Sequence, residues 1–121
     1  MVLIIGGEGS GKRSFARSLG YTDNEMADAV LNDCPVVYHV EQMVANDFES
    51  APALLEPLSK KAVVICNEVG SGVIPVEHRV RLTREATGRL CVLLAKQADA
   101  VVRMVCGIPT VIKGEMPCKS I

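Results

Sequence analysis

A short apolar run leads directly into a glycine-rich loop, and this junction constrains the fold more than any other part of the sequence. Val2-Leu3-Ile4-Ile5 is followed by Gly6-Gly7-Glu8-Gly9-Ser10-Gly11-Lys12-Arg13. Gly6, four further residues and Gly11-Lys12 match the spacing G-x-x-x-x-G-K of a phosphate-binding loop, which connects a strand to a helix. Glycines let successive backbone N–H groups turn toward an anion, and the lysine adds a cation. The pattern predicts that residues 6–13 bind the phosphates of a nucleotide.

The residue after the loop lysine departs from this motif. A phosphate-binding loop carries Ser or Thr there, whose hydroxyl binds Mg²⁺, whereas this sequence has Arg13. Ser14 follows, about 100° further around the helix, so it does not simply take over that position. Guanidinium groups pair with phosphate oxygens, which makes Arg13 a candidate for direct contact with phosphate.

Strands and helices alternate along the rest of the chain. Continuous apolar runs predict buried strands at 36–40, 62–66 and 100–106, with a short last strand at 110–112. Helices are predicted at 12–19, 25–31, 51–58 and 76–97, with a helical turn at 41–46. This order predicts an α/β fold in which a mostly parallel sheet is flanked by helices. We expect a single P-loop domain over residues 1–113 and a frayed tail over residues 114–121.

The composition argues against several classes of partner. The chain has 121 residues, a formal net charge of −1 and only 3% aromatic residues, which disfavours a nucleic-acid partner. No apolar run approaches the ~18 residues of a membrane span, and the first one lacks a basic leader. We therefore expect a cytoplasmic protein with no membrane partner. The five cysteines include no C-x-x-C pair, which favours reduced thiols over a disulfide framework or a zinc site.

A second polar loop, beginning Asn67-Glu68-Val69-Gly70-Ser71-Gly72, follows the strand predicted at 62–66. Ligands of open parallel sheets bind at the carboxyl ends of the strands. Glu68 is interpreted either as an acid group at the site or as a cap for backbone N–H groups. On the long helix, Glu85 and Arg89 have the spacing of an i,i+4 ion pair. Arg84 and Arg89 belong either to a solvated helix face or to a phosphate or intersubunit contact.

With these two blocks the sequence resembles the adenosylcobinamide kinase/adenosylcobinamide-phosphate guanylyltransferase family of cobalamin biosynthesis. The first block is Gly6-Gly7 with Ser10-Gly11-Lys12, where the family reads GG-x-x-SGKS. The second is Asn67-Glu68-Val69-Gly70-x-Gly72-Val73-Ile74-Pro75, followed by Arg84-Glu85 and Gly88-Arg89, where the family reads NEVG-x-G-[IV]-[VI]-P, RD and GR.

The resemblance implies a P-loop enzyme that phosphorylates the aminopropanol hydroxyl of adenosylcobinamide with ATP or GTP. It also implies transfer of GMP from GTP through a histidine–GMP intermediate, and a homo-oligomer, a trimer, with sites between subunits. Lys12 and Glu68 are the catalytic candidates. The second loop and the long helix add the candidate site residues Asn67, Gly70, Gly72, Arg84 and Arg89.

The chain departs from the family pattern in three places. Arg13 replaces the loop serine, Tyr38 stands where the family has an acidic metal ligand, and no residue matches the guanylylated histidine. His39, one of two histidines, is interpreted either as a partly buried strand residue or as a nucleophile. Glu41 and Ser14 remain as candidate Mg²⁺ ligands.

Two hypotheses about function stay open. The first is a kinase of this family that phosphorylates a cobinamide-type alcohol with ATP or GTP, without guanylyl transfer. The second is a non-catalytic nucleotide- or phosphate-binding subunit, whose binding is indifferent to EDTA. Transfer of phosphate to cobinamide separates the two.

Overall fold

A six-stranded sheet forms the centre of the molecule. The computed structural model of the chain describes residues 1–68 and 77–117. The strands are β1 Val2–Gly6, β2 Met26–Asp28, β3 Val36–Tyr38, β4 Val63–Asn67, β5 Ala100–Val105 and β6 Ile108–Lys113. They lie in the order β2-β3-β4-β1-β5-β6, with β6 antiparallel to β5 and every other neighbouring pair parallel. The predicted α/β class with a mostly parallel sheet is confirmed.

In the part of the chain that the structure describes, four α-helices connect the strands. They are α1 Lys12–Ser18, α2 Val40–Asn46, α3 Leu55–Ser59 and α4 His78–Gln97, and 3₁₀ segments occupy Asp23–Glu25 and Phe48–Leu54. The ammonium of Lys113 donates to the carbonyl oxygens of Ala95 and Lys96 (3.0 and 2.9 Å), which satisfies the last turn of α4. No helix within residues 1–68 and 77–117 combines the length and apolarity that a membrane crossing requires.

Both faces of the central strands β1, β3 and β4 are buried, as their continuous apolar sequences predict. Leu3 of β1 packs on one face with Val64 and Val101, and the next residue, Ile4, packs on the opposite face with Ile65. Helices α2, α3 and α4 cover the first face, and α1 covers the second through Ala16. With both faces covered, the carboxyl ends of the parallel strands are the edge left for a ligand.

The segment 25–31 was predicted as a helix, and this prediction is wrong. The helical turn at 23–25 follows Thr22, whose backbone N–H donates to Oε1 of Glu25 (3.0 Å), and the chain then enters β2. Met26 and Ala27 are both buried, whereas Val30 is 48% exposed. Parallel pairing with β3 overrides the local helical pattern, as tertiary contacts often do in short segments.

Two further boundaries differ from the sequence predictions. The strand predicted to reach Val40 ends at Tyr38, because His39 has a left-handed backbone (φ 57°) and α2 begins directly after it. The helix predicted over 51–58 is a 3₁₀ segment that passes into α3. Pro57 lies within α3 rather than ending it, since the first turn of a helix does not need that N–H. The long helix is confirmed from His78, and its predicted start at Val76 lies outside the described residues.

Candidate functional site

The glycine loop lies at the carboxyl end of β1, which runs between β4 and β5. Geometry requires glycine at two of its positions. A Cβ on Gly6 would lie 2.6 Å from the backbone oxygen of Met104 and 2.6 Å from Oγ of Ser10. Gly11 has a φ of 94°, and a Cβ there would lie 3.3 Å from Cα of Gly107. The loop therefore approaches the β5–β6 hairpin more closely than larger residues allow.

Backbone hydrogen bonds hold the loop on both sides. The N–H of Glu68, just after β4, donates to the carbonyl oxygen of Gly6 (2.8 Å), and the N–H of Gly107 donates to that of Ser10 (2.9 Å). Within the described part of the chain, the N–H groups of Gly9 and Gly11 make no hydrogen bond. The loop is thus fixed in position while two of its donors are left for a ligand.

Lys12, the first residue of α1, is buried, and its ammonium turns back across the loop. Nζ donates to the carbonyl oxygen of Gly7 (2.5 Å) and lies 3.4 Å from Oγ of Ser10. Burial lowers the pKa of Lys12, and neighbouring acidic groups, Glu8 foremost, oppose that shift. A partly desolvated ammonium gains more from an incoming anion than an exposed one does. Lys12 is therefore well placed to bind phosphate.

A cleft of about 270 Å³ opens beside the loop. The loop and the first turns of α1 form one wall, and Tyr38, His39 and Asn67 contribute from the ends of the neighbouring strands. Lys12, Arg13 and Arg17 bring three positive charges to this cleft, against one carboxylate from Glu8. The volume lies near the lower end of the range for ligand sites, which suits a chain of phosphates better than a whole nucleotide.

Arg13 and Tyr38 contact each other across the cleft. The guanidinium carbon of Arg13 lies 4.8 Å from the centre of the Tyr38 ring, a cation–π distance. Arg13 belongs to α1 and Tyr38 ends β3, so the contact joins the two walls. Both residues stand where the resemblance implies metal ligands, and here they pair with each other.

His39 is held by a carboxylate from the neighbouring strand. Its Nδ1 lies 2.7 Å from Oδ1 of Asp28, the last residue of β2, and its ring meets the Tyr38 ring edge-on at 4.8 Å. The His39 side chain is 26% exposed and lines the cleft. The sequence places His39 in the strand, but in the structure it follows β3 and directly precedes α2.

The remaining carboxylates near the loop already have partners. Glu8 accepts a hydrogen bond from Nδ2 of Asn67 (2.6 Å), and Glu41 accepts one from the backbone N–H of Asn67 (3.0 Å). Glu68 forms a two-point ion pair with Arg103 (2.6 and 3.1 Å), which raises the pKa of the Arg103 guanidinium. The Glu68 backbone thus caps the loop while its side chain turns to β5.

The candidate Mg²⁺ ligands Ser14 and Glu41 both have protein partners within the described part of the chain. The Ser14 hydroxyl lies in the cleft, 3.5 Å from an Arg17 nitrogen, and Glu41 is engaged as described above. In residues 1–68 and 77–117, no three His, Cys, Asp or Glu side chains come together to hold a metal ion. The donor set at this loop is cationic and aromatic, which suits an anion better than a divalent cation.

The second block of candidate residues is only partly brought to the cleft. Asn67 lines it, whereas Gly70 and Gly72 lie outside the described residues. Arg89 lies on α4, 79% exposed, and pairs with Glu85 at 3.8 Å, which confirms the predicted i,i+4 pair. Neither Arg84 nor Arg89 is among the described residues that line the cleft.

Two thiols meet directly behind the cleft. Sγ of Cys66, at the end of β4, lies 3.6 Å from Sγ of Cys91 on α4. The hydrogen bond between them raises the pKa of Cys66, with burial acting in the same direction, and lowers the pKa of Cys91. Of the two, Cys91 is the one that ionises first.

Sequence reasoning missed three residues of this region: Asp28, Arg17 and Arg103. Asp28 was placed inside a predicted helix, which hid its position at the end of a strand. Arg103 carried a signal, because it is the one charged residue in the apolar run 100–106. Arg17 had no signal beyond its place one turn after Arg13.

Comparison with known proteins identifies the family. A family model described as CobU, cobinamide kinase / cobinamide phosphate guanyltransferase, matches residues 21–112. The chain belongs to this family. The resemblance stated from the sequence blocks is thereby confirmed. The matched segment begins after the glycine loop, so the interpretation of that loop rests on its own spacing and geometry.

Two curated members of the family are similar over part of their length. The bifunctional adenosylcobalamin biosynthesis protein CobU of Escherichia coli K12 is 34% identical over 74 residues, which cover 61% of this chain and 41% of that protein. The Salmonella typhimurium protein of the same name is 32% identical over 74 residues, with the same coverage. The aligned segment thus spans about two fifths of these relatives.

Proposed function

We propose that this protein binds ATP or GTP through the Gly6–Arg13 loop and transfers the terminal phosphate to a cobinamide-type alcohol in cobalamin biosynthesis. The observation that carries the proposal is the buried ammonium of Lys12, set across a glycine loop that lines a cleft at the carboxyl end of β1. Membership of the cobinamide kinase family supports the choice of acceptor. The P-loop fold and a single domain over residues 1–113 are part of this proposal.

In this proposal the cleft holds the phosphates, and the ribose and base extend outward. The N–H groups of Gly9 and Gly11 donate to phosphate oxygens, and Lys12 neutralises the outer phosphates. Arg13 supplies a second fixed cation, since guanidinium pairs closely with phosphate oxygens. Phosphoryl transfer depends mainly on such positioning and neutralisation of charge.

The proposal includes no protein-held Mg²⁺ and no guanylyl transfer. Ser14 and Glu41 engage protein partners, and Arg13 and Tyr38 occupy the positions of the family's metal ligands. No residue of the sequence matches the histidine that the family guanylylates. These residues support phosphoryl transfer, the first of the family's two reactions, and not guanylyl transfer.

The test is transfer of labelled phosphate from [γ-³²P]ATP or [γ-³²P]GTP to cobinamide. We expect labelled cobinamide phosphate with the wild-type protein and at least a tenfold lower yield with Lys12→Met. Nucleotide binding without any labelled product would contradict the kinase proposal.

A second candidate function is a non-catalytic nucleotide-binding subunit. The Arg13–Tyr38 contact favours it, because this pair replaces the two metal ligands on which the family pattern relies. Both candidates bind nucleotide in the presence of EDTA, and only the first transfers phosphate. A homo-oligomer, a trimer as in the family pattern, is proposed for either.

A further inference from the structure

We propose that His39, oriented by Asp28, is the proton acceptor for the alcohol during phosphoryl transfer. This inference rests on the proposed function, because it assigns a role at the same cleft.

The hydrogen bond to Asp28 determines which imidazole nitrogen of His39 carries the proton. Nδ1 of His39 lies 2.7 Å from Oδ1 of Asp28, so in the neutral ring the proton resides on Nδ1 and the lone pair resides on Nε2. The side chain lines the same cleft as Lys12 and Arg13. An imidazole with a free Nε2 beside a phosphate-binding loop is suited to accept the proton of an attacking hydroxyl.

The backbone is left-handed at His39 and at the residue that follows Asp28. His39 has a φ of 57°, and Ala29, directly after Asp28, has a φ of 52°. Neither residue is glycine, so the left-handed backbone conformation is energetically unfavourable at both positions. The N–H of Ala29 donates to the carbonyl oxygen of Tyr38 (2.8 Å), which ties the two strained positions together. Strain of this kind concentrates at functional sites, where it fixes a side-chain direction.

A purely structural role accounts poorly for the pair. Asp28 is 56% exposed and His39 is 26% exposed, and exposed ion pairs add little to folding stability. The pair instead resembles the support of a catalytic imidazole by a carboxylate, in which the carboxylate fixes the tautomer. Asp28 is accordingly a positioning residue.

The charged surroundings of His39 come from three elements and the loop. Asp28 faces it from β2, and Arg13 and Arg17 contribute from α1. Lys12 and Glu8 line the same cleft, and Glu41 lies two residues further along α2. The pH dependence of the reaction therefore depends on all of these charged residues together. Variants of His39 are needed to isolate the contribution of His39.

In the proposed step the alcohol replaces the nucleoside diphosphate on the γ-phosphorus. The alcohol oxygen forms a bond to the γ-phosphorus of the bound nucleoside triphosphate, and the bond from that phosphorus to the β–γ bridging oxygen breaks. The hydroxyl proton passes to Nε2 of His39, and the nucleoside diphosphate leaves with the electron pair of the broken bond. The resulting imidazolium is stabilised by Asp28 and returns its proton to water.

Single-turnover transfer from [γ-³²P]ATP to cobinamide tests the assignment, with His39→Gln, Asp28→Asn and wild type compared. His78→Gln is the matched control, because His78 is the other histidine and lies exposed on α4 beside Arg81. We expect a loss of about 100-fold or more in the rate for His39→Gln and a smaller loss, about tenfold, for Asp28→Asn. The dissociation constant for ATP should stay within twofold in both variants. Transfer by His39→Gln within threefold of wild type would overturn this inference and leave the proposed function standing, whereas absence of transfer by wild type would overturn both.

A second readout separates the proton acceptor from a merely structural residue. A proton acceptor works only in its unprotonated form, so the pH–rate profile of wild-type transfer should have an acid limb, and this limb should be absent in His39→Gln. Histidine ¹⁵N NMR, assigned with His78→Gln, should show His39 protonated on Nδ1 in wild type and a changed tautomer in Asp28→Asn. An acid limb that persists unchanged in His39→Gln, or a proton on Nε2 in wild type, would contradict the assignment.

Discussion

The guanidinium of Arg13 lies 4.8 Å from the centre of the Tyr38 ring, and this contact joins α1 to the end of β3. Each residue stands at a position where the family resemblance implies a metal ligand. The two substitutions are therefore not independent, since the second gives the first an aromatic face to lie on. The proposal that Arg13 contacts phosphate directly, without a protein-held metal ion, follows from this pairing.

The first prediction concerns this cation. Arg13→Ser should raise the dissociation constant for ATP about tenfold, since about 1.4 kcal/mol of charge-assisted contact with phosphate is lost. Tyr38→Leu keeps the cation but removes its support, and should weaken binding by about threefold. Isothermal titration calorimetry measures both, with Arg81→Ser on α4 as the control. Equal affinity of Arg13→Ser and wild type would remove Arg13 from the site.

The second prediction concerns the pH dependence of binding. Burial lowers the pKa of Lys12 below its usual 10.5, so its positive charge is lost as the pH rises through that lowered value. ATP binding by the wild-type protein should weaken over this range, starting below pH 10.5. Lys12→Arg stays charged throughout and should keep its affinity for ATP. Parallel pH profiles for the two proteins would show that Lys12 does not bind the phosphates.

The lowered pKa of Lys12 has the opposite effect on the stability of the nucleotide-free protein, which should increase with pH where ATP binding weakens. A lowered folded-state pKa means that folding disfavours the charged lysine, so the free energy of unfolding should increase as the pH rises from the folded value toward 10.5. Lys12→Met, which carries no charge, should lack this increase. Urea denaturation at a series of alkaline pH values measures it, and a wild-type stability that falls in the same interval while Lys12→Met stays constant would contradict the account.

A third prediction compares two adjacent glycines. A Cβ on Gly6 would meet the backbone oxygen of Met104 at 2.6 Å, whereas a Cβ on Gly7 would meet nothing within 4 Å. Gly6→Ala should therefore lower the free energy of unfolding by about 2 kcal/mol or more, and Gly7→Ala should change it by less than about 0.5 kcal/mol. Thermal denaturation of the two variants decides this, and equal melting temperatures would show that the loop is not packed as described.

A fourth prediction uses the paired thiols. The hydrogen bond with Cys66 lowers the pKa of Cys91, and the thiolate is the form that reacts with iodoacetamide. Site-resolved mass spectrometry at pH 8 should find Cys91 alkylated faster than Cys66, which is fully buried. Cys66→Ala should slow the alkylation of Cys91 several-fold. Faster modification of Cys91 in Cys66→Ala than in wild type would mean that access, rather than ionisation, controls this thiol.

Much of the fold was predictable because its signals are local. The strands around Leu3, Val64 and Val101 are continuous apolar runs, which are typical of strands buried on both faces. On α4, Thr87, Leu90 and Leu94 recur at spacings of three and four residues, a pattern typical of a buried helix face, and all three are buried. β2 was not predictable in this way, because three residues carry too little periodicity to outweigh the helical pattern around them.

In the candidate site, too, the feature made of consecutive residues was predictable, whereas contacts between residues far apart in sequence were not. The loop Gly6–Arg13 was found from spacing alone, because its function depends on consecutive residues. The pairs Arg13–Tyr38, Asp28–His39 and Glu68–Arg103 join residues 25, 11 and 35 positions apart. Strand order brings these partners together, and no sequence pattern encoded that order.

The central claim is that the loop binds nucleotide phosphates with protein cations in place of a protein-held metal ion. The most direct measurement is calorimetric titration of the wild-type protein with ATP and with GTP, each in Mg²⁺ and in EDTA. We predict binding of at least one nucleotide, with dissociation constants in Mg²⁺ and EDTA that agree within about threefold. Absence of binding by both nucleotides, or binding that disappears in EDTA, would contradict this account.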